Sequence, residues 1–234
     1  MRDHRTVGAR MDTLGQWRNL ADELRREGIS DSRVLGAMEK VPRHLFVPPE
    51  GRRYAYRNVP LAIGDGQTIS QPLVVALMTQ ALRLSGTERV LEVGTGSGYQ
   101  CAILAELSRS VTSVERVAGL ANASRVRLAR LGYDNIRIVV GDGSLGFPPA
   151  APYDAILVTA AGPRVPDPLL HQLSPRNGRM VLPVGEQDHQ DLLLVTRCGD
   201  RISTSHLGNV RFVPLIGEAA WHERQVDLRL REDL

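Results

Sequence analysis

Hydrophobic residues follow two different periodicities along the chain, and one gives way to the other near Pro72. Before that point, two apolar faces at helical spacing predict two helices, the first ending at Gly28 and the second stopping at Pro42. Their members are Leu14, Trp17, Leu20 and Leu24, then Val34, Leu35, Met38 and Val41. Residues 42–66 are rich in proline and glycine, which predicts an ordered loop region that lies against another part of the protein.

From Pro72 onward, short apolar runs alternate with helical patterns. The predicted strands are 89–94, 111–115, 136–140, 153–159, 179–184, 192–197 and 205–213, and the predicted helices are 72–84, 99–107, 118–131 and 167–173. Alternation of this kind predicts an α/β fold whose strands are parallel and joined by right-handed crossovers. The last strands have little helix between them, so we expect an antiparallel finish at one edge of a mostly parallel sheet.

These patterns divide the chain into four parts. Residues 1–12 are expected to form a flexible tail, residues 13–71 an N-terminal helical cap with its loop region, residues 72–217 the α/β core, and residues 218–234 a C-terminal extension. A chain of 234 residues is long enough to bury a core of its own.

Composition and charge exclude several classes of partner. Of the 234 residues, 29 are basic and 26 acidic, and a net charge of +3 does not indicate the concentrated basic face of a nucleic-acid binder. No apolar run approaches the roughly 20 residues of a membrane helix, and the polar first ten residues do not resemble a signal peptide. Two cysteines, Cys101 and Cys198, are expected to be reduced thiols, which favours a cytoplasmic protein. We expect no metal site.

Three glycines stand at alternate positions between a predicted strand and a predicted helix, in Glu92-Val-Gly94-Thr-Gly96-Ser-Gly98-Tyr99. Glycine permits positive φ and close approach of a ligand to the backbone, as in the crevice of a Rossmann-like sheet. A dinucleotide fingerprint needs its third glycine where this chain has Tyr99. The spacing is instead that of class I methyltransferases, which bind S-adenosyl-L-methionine; a tight turn without a ligand is the plain alternative.

Acidic residues follow the next two strands. Glu115 ends the second strand, where a carboxylate can accept hydrogen bonds from both ribose hydroxyls. Asp142 follows the third strand in Gly141-Asp142-Gly143, where it can meet the adenine amino group. Each alone is typical of a strand end or a turn, but the carboxyl ends of parallel strands share one crevice edge, and together they favour a cofactor site.

Ser70 lies two residues before the proline that begins a predicted helix. From the residues alone, a capping or turn hydroxyl is the favoured interpretation. No motif of a general base, such as that of amine methyltransferases, stands near the crevice. Its absence agrees with a carboxylate acceptor, because a carboxylate with a pKa of about 4 is already ionised at neutral pH.

Several motifs occur in the order typical of one family, over about residues 14–217: Val41–Pro48, Gly66–Pro72, Val90–Tyr99, Ser113–Arg116, Gly141–Gly143, Pro152–Ile156, Val181–Gly185 and Arg211–Leu215. The Thr68-Ile69-Ser70-x-Pro72 segment together with the glycine-rich loop is the most specific of them. The chain resembles the protein-L-isoaspartate O-methyltransferases. The resemblance implies a Rossmann-like class I methyltransferase fold, S-adenosyl-L-methionine as cofactor, and isoaspartyl-containing proteins and peptides as substrates, methylated on the free carboxylate by what we expect to be a monomer.

The resemblance also implies roles for individual residues. Ser70 would be the active-site serine beside the acceptor carboxylate, and Val213 would help to hold the substrate peptide, through its backbone. The cofactor would be bound by residues from four segments, namely Thr68, Ile69, Gly94, Gly96, Gly98, Glu115, Asp142 and Gly143.

Three alternatives remain open at this point. A carboxyl methyltransferase dedicated to one peptide of a biosynthetic pathway would use the same residues. A nucleotide-dependent oxidoreductase is disfavoured by Tyr99, and a non-catalytic cofactor-binding module by the intact segment around Ser70.

Overall fold

The computed structural model describes the backbone of residues 4–186 and 188–223, and side chains from residue 14 onward. Six α-helices run over His4–Arg26 (α1), Ser32–Lys40 (α2), Pro72–Leu82 (α3), Tyr99–Leu107 (α4), Ala118–Arg130 (α5) and Asp167–Gln172 (α6). Nine strands run over Leu61–Gly64 (β1), Gln67–Ile69 (β2), Arg89–Val93 (β3), Ser110–Glu115 (β4), Ile136–Val140 (β5), Ala155–Val158 (β6), Arg176–Gly185 (β7), Gln190–Cys198 (β8) and Arg201–Val210 (β9).

The central sheet has seven strands in the order β5-β4-β3-β6-β7-β8-β9. The first five are parallel to one another, whereas β8 and β9 pair antiparallel at one edge. The predicted α/β fold with an antiparallel finish is thereby confirmed. The strand β6 lies between β3 and β7 in the middle of the sheet, which is covered on both faces. It is therefore buried along its whole length and consists only of apolar residues.

Hydrophobic side chains pack on both faces of this sheet. Alternate residues of β3 illustrate the division, since Val90 faces one cluster and Leu91 the other. The cluster that contains Val90 also receives α1 and α2, whose buried side chains include Trp17, Leu24 and Met38. The N-terminal helices therefore share the core of the sheet and cover one of its faces.

The N-terminal region differs from the sequence expectation in two places. The helix α1 begins at His4, so residues 4–12 continue it instead of forming a tail; they contain no proline to end a helix, and residues 1–3 lie outside the described part. Within the expected loop region, β1 and β2 form an antiparallel hairpin. Its turn is Asp65-Gly66, with φ of 51° and 68°, which is the left-handed backbone that an Asp-Gly hairpin turn requires.

Candidate functional site

A crevice of about 890 Å³ opens at the carboxyl ends of β3, β4 and β6. The strand β3 lies between β4 and β6. The chain first adds β4 and β5 on one side of β3, and then adds the strands from β6 onward on the other side. Such a change of direction leaves a gap between the connections on the two sides, and α/β sheets bind ligands there. The volume falls within the range of about 300–1,000 Å³ that is common for small-molecule sites.

The glycine-rich loop forms one wall of this crevice. Gly94 and Gly96 line it, with φ of 92° and 51°. A Cβ atom on Gly94 would lie 2.2 Å from Oγ1 of Thr159. The Thr159 hydroxyl also lies 2.7 Å from the carbonyl oxygen of Gly94 and holds the loop in place. Close approach, as well as positive φ, therefore requires glycine at position 94.

Gly98 has a different place from the other two glycines. It is the N-cap of α4 with φ of 85°, and it does not line the crevice. A Cβ atom there would lie 3.3 Å from Cβ of Ser124 and 3.2 Å from Cδ1 of Leu128, both on α5. Gly98 thus allows α4 to begin close against α5, and its part in the cofactor loop stays a prediction.

Glu115 ends β4, lines the crevice and is only 6% exposed. Its Oε2 accepts a hydrogen bond of 2.9 Å from the N–H of Gly96, and its Oε1 accepts one of 2.9 Å from the N–H of Val117. A carboxylate offers about four acceptor positions, so about two remain for the hydroxyls of a ribose. The same side chain therefore shapes the loop and presents acceptors to the crevice.

Gly143 lines the crevice, whereas Asp142 stands behind its wall. The Asp142 carboxylate accepts hydrogen bonds from the N–H of Ser144 at 2.8 Å and from the N–H of Glu218 at 2.7 Å. A Cβ atom on Gly217 would lie 2.1 Å from Oδ1 of Asp142. Asp142 thus ties the turn at residues 217–219 to the crevice, and an adenine contact through its remaining acceptor position stays a prediction.

The segment around Ser70 forms a further part of the wall, to which Thr68, Ile69 and Ser70 all contribute. The Ser70 hydroxyl makes no hydrogen bond within the described residues, and the N-cap of α3 is Gln71, without a side-chain cap. Instead, the N–H of Leu73 donates to Oδ1 of Asn58 at 3.0 Å. The capping interpretation of Ser70, favoured from the residues alone, is wrong, and its hydroxyl remains available to a ligand.

Val213 lines the crevice from the segment that follows β9. Its carbonyl oxygen accepts a hydrogen bond of 2.8 Å from the N–H of Ala161, and the N–H of Leu215 donates to the carbonyl oxygen of Ala161 at 2.8 Å. This pairing fixes residues 213–215 beside the end of β6. A substrate contact through the Val213 backbone would therefore use its N–H group or its remaining lone pair.

A buried polar chain supports the glycine-rich loop from below. Oγ1 of Thr95 lies 2.6 Å from Oγ of Ser113 on β4, and the Ser113 hydroxyl is hydrogen-bonded to the carboxyl group of Glu92 on β3. Complete burial raises the pKa of Glu92 to about 8, although the hydrogen bonds to Ser113 and Cys101 act in the opposite direction. Glu92 is therefore protonated at neutral pH.

The sequence analysis assigned no role to several other residues of the wall, among them Gln71, Arg116, Asn209, Arg211, Ile216 and Glu223. Arg116 and Glu223 form an ion pair at the edge of the crevice across 107 positions of sequence. Nothing in the local pattern at either residue predicts its partner.

The described residues offer neither a membrane span nor a metal site. No helix among them is long and apolar enough to cross a bilayer. No group of three or more His, Cys, Asp or Glu side chains in 4–186 and 188–223 is placed to hold a metal ion. Both cysteines are free, Cys101 in the core and Cys198 at the surface.

A Rossmann-like sheet, a glycine-rich loop after β3 and an acceptor carboxylate after β4 define a class I S-adenosylmethionine-dependent methyltransferase, and the crevice fits this cofactor in size and in free acceptors. The sequence model of the Protein-L-isoaspartate(D-aspartate) O-methyltransferase family matches residues 16–220. The chain belongs to this family.

Relatives agree over most of the chain. A protein-L-isoaspartate O-methyltransferase of Methanoculleus marisnigri is 55% identical over 199 residues, which is 85% of this chain and 90% of that protein. One from Roseiflexus castenholzii is 52% identical over 211 residues, which is 90% of this chain and 96% of that protein.

Solved structures agree with the fold. A protein-L-isoaspartate O-methyltransferase aligns with a TM-score of 0.79 at 28% identity, over 93% of this chain and 70% of that chain. A putative protein-L-isoaspartate O-methyltransferase of Plasmodium falciparum, in complex with S-adenosyl-L-homocysteine, aligns with a TM-score of 0.74 at 28% identity, over 85% of this chain and 97% of that chain.

Proposed function

We propose that this chain transfers a methyl group from S-adenosylmethionine to the free α-carboxylate of L-isoaspartyl residues in damaged proteins and peptides. The observation that carries the proposal is that Ser70 lines the crevice while its hydroxyl makes no hydrogen bond among the described residues. A hydroxyl left free beside a cofactor loop can orient an acceptor oxygen. The names of the relatives reported above give no support to a single dedicated peptide as substrate.

The cofactor, when bound, supplies a methyl group on a positively charged sulfonium, which is transferred by in-line displacement. We assign the ribose hydroxyls to Glu115, the adenine to Gly143 with Asp142 behind it, and the amino-acid end to Gly94 and Gly96. Thr68 and Ile69 would line the cofactor from the acceptor side. These assignments come from the family resemblance, and they are supported by the crevice lining at Glu115, Gly143, Gly94 and Gly96 and by the free acceptor positions of Glu115.

On the acceptor side, Ser70 would hold the carboxylate oxygen in line with the methyl group, and the backbone of Val213 would hold the substrate peptide. Alignment of two reactants is worth a large rate factor, and it is the main task left to the protein in this reaction. A carboxylate is ionised at neutral pH and needs no general base. In agreement, no histidine or lysine lines the crevice among the residues described.

The product suggests how methylation begins repair. A methyl ester is a better leaving group than a carboxylate, so the neighbouring amide nitrogen attacks the ester carbonyl, releases methanol and closes a succinimide. Hydrolysis of the succinimide returns part of the material to the normal aspartyl linkage.

We place this activity in the cytoplasm, in agreement with two free cysteines. We also propose that the protein is a monomer that needs neither nucleic acid nor membrane. Light scattering after gel filtration would test the oligomeric state.

The test uses peptide pairs of unrelated sequence that differ only in an L-isoaspartyl or L-aspartyl linkage, with methyl-labelled S-adenosylmethionine. We expect base-labile label on every isoaspartyl peptide and none on its partner. Label on one sequence alone would indicate a dedicated substrate. Absence of label, with S-adenosylhomocysteine still bound, would overturn the proposed acceptor.

A further inference from the structure

Arg43 is a buried cation without a counter-ion. It begins a short 3-10 helix, Arg43–Phe46, in the N-terminal cap, and its side chain is 1% exposed. None of the ion pairs among the described residues includes it. Burial of an unpaired charge is costly, and burial lowers the pKa of Arg43, yet arginine stays protonated at neutral pH.

The Arg43 guanidinium lies directly behind the acceptor segment. Its Nη2 donates a hydrogen bond of 2.8 Å to the carbonyl oxygen of Ser70, and its Nε donates one of 2.9 Å to the carbonyl oxygen of Ala55. Its central carbon lies 4.8 Å from the ring centroid of Tyr99, which lines the crevice. Nη1 is buried and has no hydrogen-bond partner. The side chain thus joins the cap to two parts of the crevice wall.

A second contact holds the same segment from its other end. The N–H of Leu73 donates to Oδ1 of Asn58, and Nδ2 of Asn58 donates to Oε1 of Glu23 on α1 at 2.9 Å. Ser70 therefore lies between two anchors that both come from the N-terminal cap. Of the two side chains that bond directly to this segment, Arg43 is charged and Asn58 is neutral.

We propose that Arg43 is a positioning residue for methyl transfer, which fixes the main chain at Ser70 and directs its unneutralised positive charge at the acceptor site, where the substrate carboxylate becomes its counter-ion. This inference rests on the proposed function. A charge in a buried setting acts over several ångströms, because little water screens it. Arg43 does not itself line the crevice, so it acts through Ser70 and through its electric field.

The experiment separates the charge from the anchor. Arg43→Met removes both, whereas Arg43→Lys keeps the charge and cannot reach both carbonyl oxygens with a planar fork. Arg52→Met, at an exposed arginine in the same cap, is the matched control. For each protein we would measure kcat and KM for an L-isoaspartyl peptide, and binding of S-adenosylhomocysteine by calorimetry. We would also measure inhibition by the same peptide with its α-carboxylate replaced by an uncharged carboxamide.

We expect the wild-type protein and Arg52→Met to prefer the carboxylate peptide over the carboxamide by at least about tenfold. In Arg43→Met the preference should shrink to about threefold or less while S-adenosylhomocysteine affinity stays within about twofold. Arg43→Lys should keep the preference but lose about fivefold or more in kcat, because Ser70 loses its anchor.

Two results would overturn the inference. A carboxylate preference unchanged in Arg43→Met, or a parallel loss of cofactor and peptide affinity, would make Arg43 a structural staple of the cap. If Arg43→Met does not fold, Arg43→Lys decides. An unchanged kcat in Arg43→Lys would contradict the claim that Arg43 positions Ser70, and a lost carboxylate preference despite the retained charge would contradict the claim that its charge attracts the substrate. A wild-type protein that does not methylate the isoaspartyl peptide would instead refute the proposed function.

Discussion

The hydroxyl of Thr159 lies 2.7 Å from the carbonyl oxygen of Gly94, on the side where any side chain at position 94 would have to lie. A methyl group there would stand 2.2 Å from the hydroxyl oxygen, and φ of 92° is itself unfavourable for alanine. The loop at Gly94 is therefore held in a shape that only glycine tolerates.

Gly94→Ala should lower the affinity for S-adenosylhomocysteine by about tenfold or more. The added methyl group forces the glycine-rich loop away from Thr159, which follows β6, and so changes the shape of the crevice wall. Calorimetric titration would measure the affinity. The matched control is Gly119→Ala, in helix α5, where an added Cβ meets nothing within 4 Å. Equal affinity in both variants would contradict the assignment of Gly94 to the cofactor wall.

Ser70→Ala should lower kcat for an isoaspartyl peptide while S-adenosylhomocysteine affinity stays near the wild-type value. The hydroxyl makes no hydrogen bond among the described residues, so the free energy of unfolding should change by no more than about 0.5 kcal/mol. Urea denaturation and steady-state kinetics test the two parts separately. An unchanged kcat would remove Ser70 from the acceptor site.

Glu115→Ala should weaken cofactor binding by about one to three kcal/mol, the range for loss of a buried acceptor. Part of this loss comes from the released N–H groups of Gly96 and Val117. A 2′-deoxyribose analogue of S-adenosylhomocysteine separates the two effects. Wild-type protein should bind the analogue more weakly than the parent compound, and the variant should bind both alike; a penalty that persists in the variant would contradict the ribose assignment.

Glu92 predicts a pH dependence of stability. Its pKa is about 8 in the folded protein against a usual value of 4.5, so the folded state keeps a proton that the unfolded state releases. Stability should therefore fall as pH rises from about 4.5 to about 8 and then level off.

Glu92→Gln should remove this contribution, since an amide does not titrate. In urea denaturation between pH 5 and pH 8, the free energy of unfolding of the variant should increase relative to that of the wild-type protein as pH rises. The exposed Glu39→Gln is the control and should run parallel to wild type. A constant difference between Glu92→Gln and wild type across this range would show that Glu92 is ionised throughout.

Much of the α/β core followed from local pattern. The helix Tyr99–Leu107 and the strand Ile136–Val140 have the predicted bounds, because each is an apolar run with a glycine beside one of its ends. Glu115 was predicted as a crevice residue for a topological reason, since parallel strands place their carboxyl ends at one edge, whereas Gly143 was predicted only from the family resemblance.

Contacts between distant segments were beyond the reach of such patterns. Arg43 donates to Ser70 across 27 positions, and the pattern around either residue is that of an ordinary cap or turn. The hairpin of β1 and β2 was missed for another reason. Its strands have only four and three residues, too short to show an alternation, although Asp65-Gly66 was a usable turn signal.

The turn at residues 217–219 is bonded to Asp142 and Ser144. The N–H of Glu218 donates to the Asp142 carboxylate, and the N–H of Ala219 donates to the Ser144 hydroxyl. A ligand that orders the Asp142 loop must then also order this turn, and by thermodynamic reciprocity a well-ordered turn must raise the affinity for that ligand by the same factor. The turn at residues 217–219 in this sense acts as an effector of the crevice that is covalently attached and always present at high local concentration.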